Sequence, residues 1–143
     1  MSGVTSAPIE RAPRVANGAN RSMPRWGWVV SGFVGLFLLF DGGGRLIGFA
    51  PYVEGTVEFG FPAAYAAPIG LTLIVATLLF LIPRTSVFGA ILLTGYLGGA
   101  AAVHVQRGDP WFLFAVLFGV LAWVGLYLRT PRLRELLPFQ RST

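Results

Sequence analysis

Apolar residues along this chain gather into four long blocks separated by short polar stretches. The first runs from Trp26 to Phe49, entered through Arg21 and Arg25. At about 1.5 Å per residue, a helix of that length exceeds a hydrocarbon core of roughly 30 Å. The others run from Ala63 to Ile82, from Ser86 to Val105 and from Trp111 to Leu128. Lipid offers backbone groups no partner, so a segment that crosses it must satisfy them internally, as a helix does. The pattern therefore predicts an all-α membrane protein, an antiparallel bundle of four transmembrane helices with both termini on one side. A signal peptide would carry an apolar core of about 7 to 15 residues, and the first block is longer than that, so it is expected to stay as an anchor.

The connections are equally readable. Residues 50–62 form a loop with room for one amphipathic turn at the interface, carrying Glu54 and Glu58 and no base. Pro83, Arg84 and Thr85 make a tight turn, and Pro110 closes the polar turn that begins at Gln106. Pro68, near the start of the second block, predicts a kink. Residues 1–25 read as a disordered basic tail, residues 26–128 as the transmembrane domain, and residues 129–143 as a second basic tail. In the latter, Pro131 and Pro138 limit any helix to a short interfacial piece.

Composition agrees with membrane insertion. Of the 143 residues, 55% are hydrophobic and 12% charged, against about 25% charged in a soluble domain, and so small a core cannot hide the excess. With no cysteine, the chain has no disulfide, catalytic thiol or iron–sulfur ligation. The net charge of +5 does not point to nucleic acid, because every basic residue is an arginine and most flank apolar blocks. Nine of the eleven lie in the two tails and the Arg84 turn, leaving Arg45 and Arg107 for the opposite face with Asp41, Glu54, Glu58 and Asp109. The positive-inside rule then puts both termini in the cytoplasm, with the chain in the inner (plasma) membrane. Trp26, Trp28, Trp111 and Tyr127 fall near helix ends, where amphipathic rings anchor at head-group level.

Candidate chemistry collects near the outer ends. Asp41 and Arg45 are four residues apart on one helix face and can pair. His104, the one histidine, is expected at the same depth, followed by Arg107 and Asp109. With Glu54 and Glu58 from the loop, these residues can line a polar pocket that opens outward and contains an imidazole able to titrate near neutrality. A structural hydrogen-bond network, a binding or proton-handling site and a metal site all stay open. Metal is disfavoured, because a lone histidine among scattered carboxylates lacks close ligand spacing. No catalytic residue set is assigned. Gly42 to Gly44 follow an apolar helix without the lysine of a phosphate loop. Gly95 and Gly99 form a GxxxG pair that predicts tight helix packing.

The run Leu39, Phe40, Asp41, Gly42, Gly43, Gly44, Arg45, Leu46 carries a resemblance. So does the stretch from Ile82, Pro83, Arg84, Thr85 and Ser86 through Gly89, Leu93, Thr94, Gly95, Tyr96, Gly98 and Gly99 to His104, closing at Gly108, Asp109 and Pro110. On these the chain resembles the DoxX-like family of small four-helix membrane proteins, over about residues 26–138. The resemblance implies an accessory or anchoring subunit of a membrane-associated redox or stress-response system, with an oxidoreductase as partner. It supplies no catalytic set and no cofactor held by the chain itself; a bound quinone or lipid, and a homodimer, stay open. A small quinone- or lipid-binding protein with Phe112, Phe114 and Tyr96 lining an apolar cleft is the alternative, ahead of a proton-linked small-solute transporter.

Overall fold

The structure, a computed structural model, describes residues 23–136. Four long helices dominate it: α1 (Met23–Leu46), α3 (Ala66–Leu81), α4 (Ser86–Gln106) and α5 (Phe112–Arg129). Two short helices accompany them, α2 (Ala50–Glu58) between α1 and α3, and α6 (Pro131–Leu136) after α5. A 3-10 turn, Ala63–Tyr65, leads into α3. Among the described residues there is no strand.

α1 packs on α3 and on α5, and α4 packs on the same two helices, so the four form a closed ring. Val34 and Leu38 of α1, Leu73 and Phe80 of α3, Leu93 of α4 and Leu126 of α5 meet at its centre. Only 28–33% of each long helix is buried inside the protein. The remaining face carries Phe33, Leu36, Phe40, Ile91, Val116 and Val120 outward, an apolar surface that suits lipid and would aggregate in water. All four helices are long and apolar enough to span a membrane.

Local chemistry sets the helix ends. The first block was expected to run to Phe49, but α1 stops at Leu46, because Gly48 adopts φ +73° and donates its N–H to the Arg45 carbonyl. A left-handed residue just past a helix end closes it, and glycine reaches that conformation at no steric cost. Residues 50–62 hold more than one turn: Pro51, in the first turn where no N–H is needed, starts the nine-residue α2. Pro68 falls likewise in the first turn of α3, which begins at Ala66, so its missing N–H breaks no helical bond and the expected kink has no cause there. In the second tail α6 is the short helix between the prolines; residues 1–22, with Arg11 and Arg14, and residues 137–143 lie outside the described residues.

The GxxxG pair does not mark a crossing within the chain. A Cβ at Gly95 or at Gly99 would meet nothing within 4 Å, and both residues are exposed. Close approach falls elsewhere, at Gly27 against Arg129, at Gly89 against Phe80, and where Gly42 of α1 meets Gly70 of α3: there a Cβ on Gly70 would lie 2.6 Å from the Gly42 carbonyl oxygen and 2.9 Å from the Leu46 nitrogen. That contact draws α3 against the segment of α1 that bears Asp41 and Arg45.

Candidate functional site

Asp41 and Arg45 occupy the last turns of α1, and their four-residue spacing sets them face to face. Arg45 Nε donates to Asp41 Oδ2 at 3.2 Å and Nη2 to Oδ1 at 3.5 Å, the two-pronged geometry that suits a planar guanidinium and a carboxylate. Its third anchor comes from α2, where Nη1 donates to Thr56 Oγ1 at 3.2 Å. Thr56 is buried and donates in turn to the Tyr52 carbonyl at 2.8 Å. The Tyr52 ring lies 5.7 Å from the guanidinium carbon, in space that a side chain at Gly44 would occupy. α2 thus has a face of Tyr52 and Thr56 turned to the bundle, while Glu54 and Glu58 are exposed.

His104 stands at the end of α4, and its Nδ1 is 3.0 Å from Asp109 Oδ2. The other Asp109 oxygen accepts the Trp111 N–H at 3.1 Å. That backbone hydrogen bond, with His104 as a further contributor, holds the Asp109 carboxyl below the usual carboxylate range. The Phe59 ring stands edge-on to the imidazole at 4.7 Å. Arg107 Nη1 donates to the Glu58 carbonyl at 2.6 Å, with its guanidinium 5.1 Å from the Phe59 ring. Phe59 is therefore gripped between His104 and Arg107 at the end of α4, which ties the end of α2 to the bundle.

Two chambers flank this polar group. One, of about 270 Å³, is lined by Arg45, Thr56, Phe59, Ile69, Tyr96 and His104 among others. The second, of about 210 Å³, lies on the other side and is lined by Phe37, Asp41, Trp111, Phe114 and Phe118. Arg45, Tyr96, Ala100 and His104 line both and form the wall between them. Phe37, Phe114 and Phe118 pack as a ring cluster, with centroids 4.6 to 5.5 Å apart.

Of the residues singled out in the sequence, Asp41, Arg45 and His104 come together around these chambers. Asp109 stands behind His104, and Arg107, Glu54 and Glu58 are exposed and line neither chamber. Phe114 and Tyr96 are chamber residues, whereas Phe112 is not. Sequence reasoning missed Thr56, Phe59 and Phe61 because it read their segment as a loop. The signal was present in Tyr52 and Thr56 alternating with Glu54 and Glu58, each pair four apart. His104 and Asp109 offer two metal-ligating groups side by side, and no group of three such side chains forms among the described residues.

All of these residues fall inside a match to a known family. The model of the DoxX-like family matches residues 29–125, well over half of the chain, and the chain belongs to that family. No curated protein and no solved structure matches it.

Proposed function

We propose that this DoxX-like membrane protein binds an apolar molecule with a polar ring or head group, a quinone or a lipid, at the outer end of an antiparallel bundle. In this reading it acts as a non-catalytic accessory or anchoring subunit of a membrane-associated redox or stress-response system. The observation that carries the binding role is the wall of Arg45, Tyr96 and His104 shared by two otherwise largely apolar chambers. Small-molecule sites combine apolar walls with a few convergent polar groups in this way. Electrons, if the system moves them, belong to the bound molecule or a partner subunit, since the chain has no cysteine.

The antiparallel order rests on which helix ends meet. Arg129 at the end of α5 touches Trp28 near the start of α1 and Phe80 near the end of α3. Arg45 and His104, which close α1 and α4, share the opposite end. The arginine bias assigns the first end to the cytoplasm, so the chambers open at the outer side of the inner membrane. Native mass spectrometry of protein extracted gently from its own membrane tests both roles. Wild type is expected to retain a quinone or lipid that Arg45→Gln loses, together with a partner protein. A wild-type chain free of bound molecules refutes the binding role, and one without a partner refutes the accessory role.

A further inference from the structure

Resting on that binding role, we infer that the wall between the chambers selects a ligand presenting a hydroxyl hydrogen, a phenol or an enol, over the matching carbonyl or methyl ether. The inference follows from how His104 is held. Its Nδ1 faces Asp109 Oδ2 at 3.0 Å, and the Trp111 amide occupies the other carboxylate oxygen. An ionised carboxylate only accepts hydrogen bonds, and the amide keeps Asp109 ionised through the neutral range. Nδ1 therefore carries the hydrogen. In the neutral ring Nε2 is then a lone pair, and with Nδ1 given to Asp109 it is the polar atom left for the two chambers that His104 lines.

Arg45 supplies the opposite polarity on the same wall. Three of its N–H groups are engaged, two by Asp41 and one by Thr56; a guanidinium has five donors and no acceptor, so it retains donors to offer. One acceptor and one donor on a shared wall are complemented by a hydroxyl, which gives its hydrogen to Nε2 and takes one from Arg45. A carbonyl sets lone pair against lone pair at Nε2, and a methyl ether puts a methyl group there. The Tyr96 hydroxyl can rotate to either role and does not disturb the choice. Asp109 is a positioning residue that acts through His104.

Binding of 2-naphthol, 2-methoxynaphthalene and 1,4-naphthoquinone to the full chain in lipid nanodiscs at pH 8, with empty nanodiscs subtracted, tests this. Wild type should bind naphthol about tenfold tighter than either of the others, the equivalent of one hydrogen bond. Asp109→Asn lets an amide N–H meet Nδ1, which moves the ring hydrogen to Nε2 and should turn the preference towards naphthoquinone. His104→Phe keeps a flat ring against Phe59 and should bind naphthol and its ether equally. Equal binding of naphthol and its ether by wild type overturns the inference and leaves the binding role standing. So does an Asp109→Asn chain that weakens all three probes alike, or a His104→Phe chain that keeps the naphthol preference. Binding of none of the three overturns both.

Discussion

Removing Arg45 separates a scaffold from a site. In Arg45→Ala the Asp41 carboxylate loses both hydrogen bonds that Arg45 gives it, and Thr56 Oγ1 loses a donor. Stranding a fully buried charge costs about 3 to 5 kcal/mol. The two side chains here are 19% and 21% exposed, so the carboxylate keeps some access to the chamber and the expected loss is about 2 to 3 kcal/mol. Asp41→Asn with Arg45→Gln leaves no uncompensated charge and should cost about 1 kcal/mol, well below the sum of the single mutants Asp41→Asn and Arg45→Gln. Unfolding free energies of the two single mutants and the double mutant in mixed micelles supply the cycle, and ligand retention is measured on the same samples. A stable double mutant that retains the ligand makes the pair scaffolding, and a stable one that loses it assigns the pair to binding. Losses that simply add, with no coupling, refute the ion-pair argument itself.

Three further outcomes are expected. Reporter fusions after Gln140 should read cytoplasmic and fusions within residues 54–60 extracytoplasmic; the reverse at both positions inverts the bundle. Gly70→Val should destabilise by about 1 to 3 kcal/mol through overpacking against the α1 backbone, whereas Gly43→Ala, where a Cβ meets nothing within 4 Å, should change little; equal effects in thermal unfolding would remove the crossing from the account. Because the folded state holds the Asp109 carboxyl below its usual range, first through the Trp111 N–H, the stability this adds is complete above the unfolded value of about 3.9 and is lost as pH falls through the lower folded value. Wild type should therefore lose its margin over Asp109→Asn below about pH 4, and parallel unfolding curves across that range would contradict the assignment.

The elements that lipid dictates were legible: α3, α4 and α5 begin and end within about three residues of their apolar blocks, because a span has one length scale set by the hydrocarbon core. The Asp41–Arg45 pair was legible for a similar reason, since four residues of helix bring two side chains together whatever surrounds them. Placing His104 with them needed only helices of comparable length. Thr56 as the third anchor of Arg45 was not legible, because it depends on where α2 folds back, and Gly48 sets that through one left-handed turn. Tyr96 was legible as an aromatic lining a cleft, but not as a residue shared by two chambers, which depends on how α1, α2 and α4 meet around it. The GxxxG motif makes no crossing within the described residues, and the reason is physical. A GxxxG pair flattens a helix face without fixing what packs on it, and within the chain neighbouring backbone comes close at Gly27, Gly70 and Gly89 instead.

The two bundle ends each hold an inward arginine, and the difference between them bears on the proposed function. Arg129 is 8% exposed, and its guanidinium stacks between Trp28 and Phe80, 4.7 Å from each ring. It donates to the Phe80 carbonyl near the end of α3, where helix carbonyls run out of partners and a cation is favoured. Every one of those contacts is to the protein's own frame, and no chamber opens there among those described. Arg45 instead has a carboxylate that cancels its charge and stands in the wall of two chambers. A bundle that needed only a clamp at the Arg45 end could have repeated the Arg129 solution, with aromatic faces and a carbonyl and no acid in the span. Placing Asp41 within an apolar helix costs about 2.5 to 3.5 kcal/mol on insertion scales, and Arg45 offsets that cost while its remaining donors stay available to the chambers. The carboxylate partner and the two chambers together set Arg45 apart from Arg129, and this difference supports the binding role proposed for that end of the bundle.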